Sequence, residues 1–178
     1  MPLRQSFPDL WLLSDERNDA VLDDALRRLP RGSGFIYRHY HLPDHERAAR
    51  WFDLLRIVRA RGHIAILADS SLTAREWGAD GIYGPPRALY PTANDPLTFA
   101  TVHDLTEIGL ANRFGADAVL LSPAFPTRSH PDAPALGPLR FRLLAAHARM
   151  PVIALGGMTG RTAHRLAWPR WAAIDGLS

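Results

Sequence analysis

Eight short apolar runs recur along this chain, most of them separated by stretches with helical spacing, and that rhythm restricts the fold more than any other feature. The runs fall at residues 10–14, 35–38, 63–68, 81–83, 97–101, 118–121, 151–155 and 171–174. They are continuous rather than alternating, as expected of parallel strands covered by helices. The spacing predicts helices over 19–29, 43–60, 104–114 and 138–147, and shorter ones over 70–77 and 162–167. Ala48, Trp51, Phe52, Leu55 and Val58 form the expected apolar stripe of the second. Pro43 suits its first turn and Gly62 its stop.

Strand–helix repetition of this kind predicts a small closed (β/α)8 TIM barrel, as one domain over residues 1–178. An open doubly wound sheet is the alternative, but no G-x-G-x-x-G turn follows an early strand to support a dinucleotide fold. Residues 84–97 are proline-rich, so the helix after the fourth strand is expected to be reduced. None is expected after the eighth. The chain has 178 residues, whereas such barrels typically use about 250. An open apolar flank would follow, favouring a homo-oligomer, a truncated chain or a distorted barrel.

Gly78-Ala79-Asp80-Gly81-Ile82 and Gly115-Ala116-Asp117-Ala118-Val119 form a weak internal repeat. Each glycine is placed to leave a helix at positive φ, and each aspartate to serve a turn on the face opposite the ligand.

The absence of cysteine excludes disulfides, thiolate metal sites and cysteine nucleophiles. There is no lysine either, so all 21 cationic side chains are arginine and a lysine-dependent mechanism is excluded. Net charge is only +3, and the arginines are scattered. That pattern favours anionic small molecules over nucleic acid. No secretory signal and no 18-residue apolar run is visible, so a cytoplasmic protein without a membrane span is expected.

In a parallel barrel the ligand binds at the carboxyl ends of the strands. Arg38 falls there at the end of the second run, suited to a bidentate phosphate contact or to pairing with an acidic neighbour. Asp69 follows the third, as a magnesium ligand or as a cap on the next helix. Thr101 ends the fifth. Thr127, Arg128, Ser129 and His130 form a loop after the sixth that either encloses an anion or is solvated. His130 is the candidate acid or base there, since imidazole titrates near neutrality. Gly156 and Gly157 form a candidate phosphate turn, or simply clear the mouth. His41 and His45 lack convincing zinc spacing, because Pro43 lies between them.

These residues resemble the thiamine phosphate synthase family and its TenI thiazole tautomerase relatives. The likeness is carried by residues 115–127 and 151–158, and more loosely by Asp80-Gly81-Ile82 and Thr101-Val102-His103. The resemblance implies a TIM barrel joining hydroxymethylpyrimidine diphosphate to hydroxyethylthiazole phosphate, with magnesium on the diphosphate that leaves. It assigns substrate binding to Arg38, Thr101, Thr127, Ser129, Gly156 and Gly157, and magnesium to Asp69. Several positions depart from the family pattern. Ile36 and Tyr40 stand where it has glutamine and lysine, Ala68 where it has asparagine, and His130 where it has lysine. A second metal-side carboxylate has no match, and Pro123 stands where TenI proteins carry a catalytic histidine. The diphosphate half of the site is therefore depleted, with Arg128 as a substitute cation. The alternatives are a relative that binds a phosphorylated heterocycle without this chemistry, and a catalytically inactive interaction protein.

Overall fold

The computed structural model describes residues 7–89, 96–128 and 134–177. Eight parallel strands close into a barrel in sequence order. They are β1 (Leu10–Leu13), β2 (Gly34–Tyr37), β3 (Ile64–Leu67), β4 (Gly81–Gly84), β5 (Leu97–Val102), β6 (Ala118–Leu121), β7 (Val152–Ala154) and β8 (Trp171–Ala173). Among the described residues six α-helices cover them: α1 (Leu22–Arg28), α2 (Asp44–Arg61), α3 (Ser71–Glu76), α4 (Leu105–Phe114), α5 (Gly137–Ala145) and α6 (Gly160–Leu166). After β4 only the 3-10 turn Pro86–Ala88 forms among the described residues, and after β8 only the 3-10 turn Asp175–Leu177. Leu10 and Trp171, register partners across the β1–β8 seam, are half-buried rather than enclosed.

A barrel of eight strands has an interior just wide enough to be filled by side chains. Trp11 occupies it, its ring 4.9 Å from that of Phe99, and Phe7 closes against Phe99 at 5.2 Å. Gly34 is the register partner of Trp11 on β2. A Cβ there would lie 2.0 Å from Trp11 Cε3. Gly81 is equally constrained, by Ile66 and the Leu97 carbonyl. These glycines are required by volume rather than by a turn.

The expected repeat serves one purpose twice. Gly78 and Gly115 each have a φ of 70°. Asp80 Oδ2 accepts from the Ala65 N–H at 2.7 Å, and Asp117 Oδ2 from the Thr98 N–H at 2.8 Å. Each aspartate therefore satisfies an N–H at the entry of the neighbouring strand.

Two helix expectations are corrected. The stretch expected as one helix over 19–29 divides into a 3-10 turn, Glu16–Val21, and α1. A capping box between Asp15 and Asn18 starts the chain coiling earlier, and Val21 consequently turns outward. On α2 the buried stripe is Arg47, Trp51, Leu54 and Val58. Phe52, expected in that stripe, is exposed. Gly62 ends α2 in the left-handed region, as its position predicts.

Replacing Gly34 by Ala is expected to cost about 3 kcal/mol or more, because its clash partner is a rigid ring rather than a flexible tip. Urea denaturation checks this, and a change below about 0.5 kcal/mol would contradict the packing argument. A second expectation concerns pH. Burial pushes the imidazoles of His39 and His63 below their ordinary value, so the unfolded chain binds more protons in that window. Their contribution is complete above the ordinary histidine pKa and is lost as pH falls. The Tm should therefore drop between about pH 7.5 and about pH 5.5. A flat profile would contradict it.

Candidate functional site

Inward phase builds the site. Ile36, Phe99, Leu120, Ile153 and Ala172 point into the barrel core. Two residues further along each strand path, at the same phase, stand Arg38, Thr101, Ser122, Leu155 and Ile174. All five line a cavity of about 420 Å³ at the carboxyl ends of the strands. Loops complete its wall with Arg17, Thr127, Arg128, Gly156, Gly157 and Asp175. The size and the few convergent polar groups suit a small ligand.

Arg38 lines the cavity and shows one of its two expected roles, pairing with an acidic neighbour. Its Nε donates to the Ser14 carbonyl at 3.0 Å and its Nη2 to Asp15 Oδ2 at 2.9 Å. Asp15 Oδ1 also accepts from Arg17 Nε at 2.9 Å. One carboxylate thus lies between two arginines. Burial works to raise the Asp15 pKa, but the Arg17 hydrogen bonds and the Arg38 and Arg17 charges outweigh it and hold the carboxyl low. Arg17 Nη1 also reaches Asp175 Oδ2 at 3.5 Å. Three arginines against Asp15 and Asp175 leave the described cavity with an excess of positive charge.

The glycine pair lines the cavity and also has a packing role. Gly156 has a φ of 92° and Gly157 a φ of 62°. A Cβ on Gly156 would lie 2.8 Å from Pro123 Cα, and one on Gly157 2.4 Å from the Pro126 carbonyl oxygen. Their smallness lets the loop after β6 lie on the loop after β7. There the Ala124 N–H donates to the Leu155 carbonyl at 2.8 Å, and the Phe125 N–H to the Gly156 carbonyl at 3.0 Å. The two loops are thereby held as one wall.

Asp69 is not among the cavity-lining residues. Its Oδ2 accepts from Arg47 Nη1 at 2.6 Å and its Oδ1 from the Ser70 N–H at 2.7 Å. Burial acts to raise its pKa, yet the Arg47 and Ser70 hydrogen bonds keep the carboxyl below its ordinary value. The helix cap is Ser70, accepting from the Thr73 N–H. As a test of the magnesium expectation, the donor set does not fit. Asp69 is neutralised by a guanidinium, and no group of three or more His, Asp or Glu side chains among the described residues has metal-binding geometry. Ser129 and His130, expected in the loop after β6, lie outside the described residues. His103, beside Thr101, pairs through Nδ1 with Glu107 Oε2 at 2.8 Å.

Three features escape the sequence reading. Arg47 is buried, and its Nε and Nη2 donate to the Arg38 and Ala68 carbonyls. It thereby joins the ends of β2 and β3. Its spacing to Trp51, Leu54 and Val58 placed it on the core face of α2, a signal that an apolar-only stripe overlooks. Arg17 enters the wall because the chain coils directly after Asp15. The 174–176 segment enters because Gly176 fits tightly over the Met158 carbonyl oxygen, which would lie 2.3 Å from a Cβ.

A model of the thiamine monophosphate synthase family matches residues 11–175, from β1 to the turn after β8. The chain belongs to the thiamine monophosphate synthase family. It is 29% identical over 160 residues to a thiamine-phosphate synthase of Methanosarcina barkeri, spanning 84% of this chain and 72% of that one. A thiamine-phosphate synthase of Geobacillus kaustophilus is 33% identical over 143 residues, 76% of this chain and 62% of the relative. The match to an Aquifex aeolicus relative, 34% identical, covers 46% of each chain. The chain thus spans between about half and about seven tenths of the length of these curated relatives. In fold it is similar to a thiamine phosphate pyrophosphorylase from Pyrococcus furiosus, with a TM-score of 0.79, 24% identity and coverage of 97% and 88%. No described helix is long and apolar enough to cross a membrane.

In this member of the thiamine monophosphate synthase family, Arg47 is expected to be structural. Arg47→Met should lower the unfolding free energy by roughly 2–4 kcal/mol, since it strips a partly buried carboxylate and two carbonyls of their donor. Denaturant titration measures this, and a loss below about 0.5 kcal/mol would deny Arg47 that role.

Proposed function

We propose that the mouth cavity binds hydroxyethylthiazole phosphate and hydroxymethylpyrimidine diphosphate and couples them as a thiamine phosphate synthase does. The thiazole nitrogen forms a C–N bond to the pyrimidine methylene. The C–O bond to diphosphate breaks, and diphosphate leaves with the electron pair. Such a reaction asks the protein for position and charge neutralisation rather than for a nucleophile.

The observation that carries this reading is the arginine-lined cavity, built at strand ends within the stretch that matches the family. Arg38, Arg17 and Arg128 would neutralise the phosphate groups. Thr101, Thr127, Ser129 and the Gly156-Gly157 turn would hold the thiazole phosphate, and His130 would be the acid or base. Magnesium enters this reading only with the coupling, as a companion of the diphosphate. Asp69 would be available to it only on leaving Arg47.

The Asp69–Arg47 pair favours a second reading, in which the chain binds the phosphorylated thiazole without coupling it. Supplying both substrates with magnesium and assaying thiamine phosphate separates the two. Under the first reading product forms, and Arg38→Ala lowers kcat/KM by about 100-fold. Saturable thiazole phosphate binding in calorimetry without product would support the second. Neither product nor binding from folded protein would reject both.

A further inference from the structure

Behind Arg38 lies a hydrogen-bonded array that the reaction above does not use. His39 Nε2 is 2.9 Å from Asp19 Oδ1, and His39 Nδ1 is 2.8 Å from Ser14 Oγ. Ser14 Oγ also accepts from the Arg38 N–H at 2.7 Å. The order Ser–His–Asp is that of a nucleophile triad, but Ser14 and His39 are buried and do not line the mouth cavity. A substrate cannot reach the hydroxyl, so the array has another use.

The donor inventory fixes its direction. An ionised Asp19 only accepts, so His39 Nε2 carries the proton. In the neutral ring Nδ1 then accepts, and the Ser14 hydroxyl donates to it. That leaves the Ser14 oxygen turned towards the Arg38 N–H. A directed chain therefore runs from the Arg38 amide through Ser14 and His39 to Asp19. Asp19 is anchored in turn by Arg50 Nε at 2.8 Å. The Arg38 carbonyl is held from the other side by Arg47 Nε at 2.9 Å.

His39 adopts this arrangement in a costly backbone state. Its φ is 42°, in the left-handed region that side chains other than glycine rarely occupy. The ring stacks on Tyr37, with centroids 4.7 Å apart, and burial favours its neutral form. The strained turn follows Arg38 directly, so the placement of one residue determines that of the other.

We infer that His39 is the positioning residue of Arg38, acting through Ser14 to hold the arginine at the cavity wall. The inference rests on the reading of that cavity as an anion site. Two contacts to Ser14 and Asp15 occupy Nε and Nη2 of Arg38, while Nη1 has no hydrogen-bond partner among the described residues. A backbone pinned at both N–H and C=O aims that remaining donor at a ligand without further ordering cost.

A double-mutant cycle in calorimetry with thiazole phosphate tests this, using wild type, His39→Gln, Arg38→Ala and the double variant. His39→Gln should weaken binding about 10-fold in the wild-type background and less than about 2-fold in the Arg38→Ala background. Ser14→Ala should reproduce both results and serves if His39→Gln does not fold. Histidine 15N chemical shifts should report His39 as the neutral Nε2–H tautomer. Equal losses in the two backgrounds, or no loss from either variant, would overturn the inference alone. No binding by folded wild type would overturn the anion-site reading and this inference with it.

Discussion

The interior of the barrel can hold only one arrangement of side chains, and the site inherits its geometry from that restriction. Trp11 fills the space between β1 and the opposite wall, so Gly34 must face it and Phe99 must tilt against it. Removing an aromatic side chain of this size from water contributes at most roughly 4–6 kcal/mol. A shift of one residue in any strand would exchange inner and outer faces and forfeit that burial. Because the phase is fixed at the closed end of the barrel, it is also fixed at the mouth. Arg38, Thr101 and Ser122 face inward there because Ile36, Phe99 and Leu120 do so one step earlier.

Charge is organised by the same economy of space. With no lysine in the chain, each cation near the mouth is a planar guanidinium able to contact several acceptors at once. Arg47 uses its donors on two carbonyls and Asp69, and so joins adjacent strand ends. Arg38 uses two nitrogens on Ser14 and Asp15 and retains a third at the wall. A buried arginine such as Arg47 costs less when its donors meet a carboxylate and strand-end carbonyls. The same pairing that steadies the mouth holds Asp69 in an ion pair with Arg47.

Much of this was legible in the residues. The continuous apolar runs gave the strand count, and Gly78, Gly115 and their following aspartates marked the entry face. Gly156-Gly157 and Arg38 marked the mouth. Other features were not legible, for identifiable reasons. Arg47 was invisible because a charged residue on a core face becomes interpretable only when its acceptors are known, and those lie on two other strands. The capping box at Asp15 shortened at its start a helix whose apolar spacing alone reached back to Val21.

What the sequence determined by itself is the set of local preferences: where strands and helices form, where glycine must leave a helix, and which end of the sheet carries polar groups. These follow from interactions within a few residues. Tertiary structure alone decided which polar groups meet. Asp69 pairs with Arg47 across 22 positions and His39 with Ser14 across 25, separations bridged only when neighbouring strands pair and α2 packs against them. Closure turns the loop after β6 from a run of hydroxyls and an arginine into one wall of a cavity, because the two glycines of the loop after β7 let it lie there.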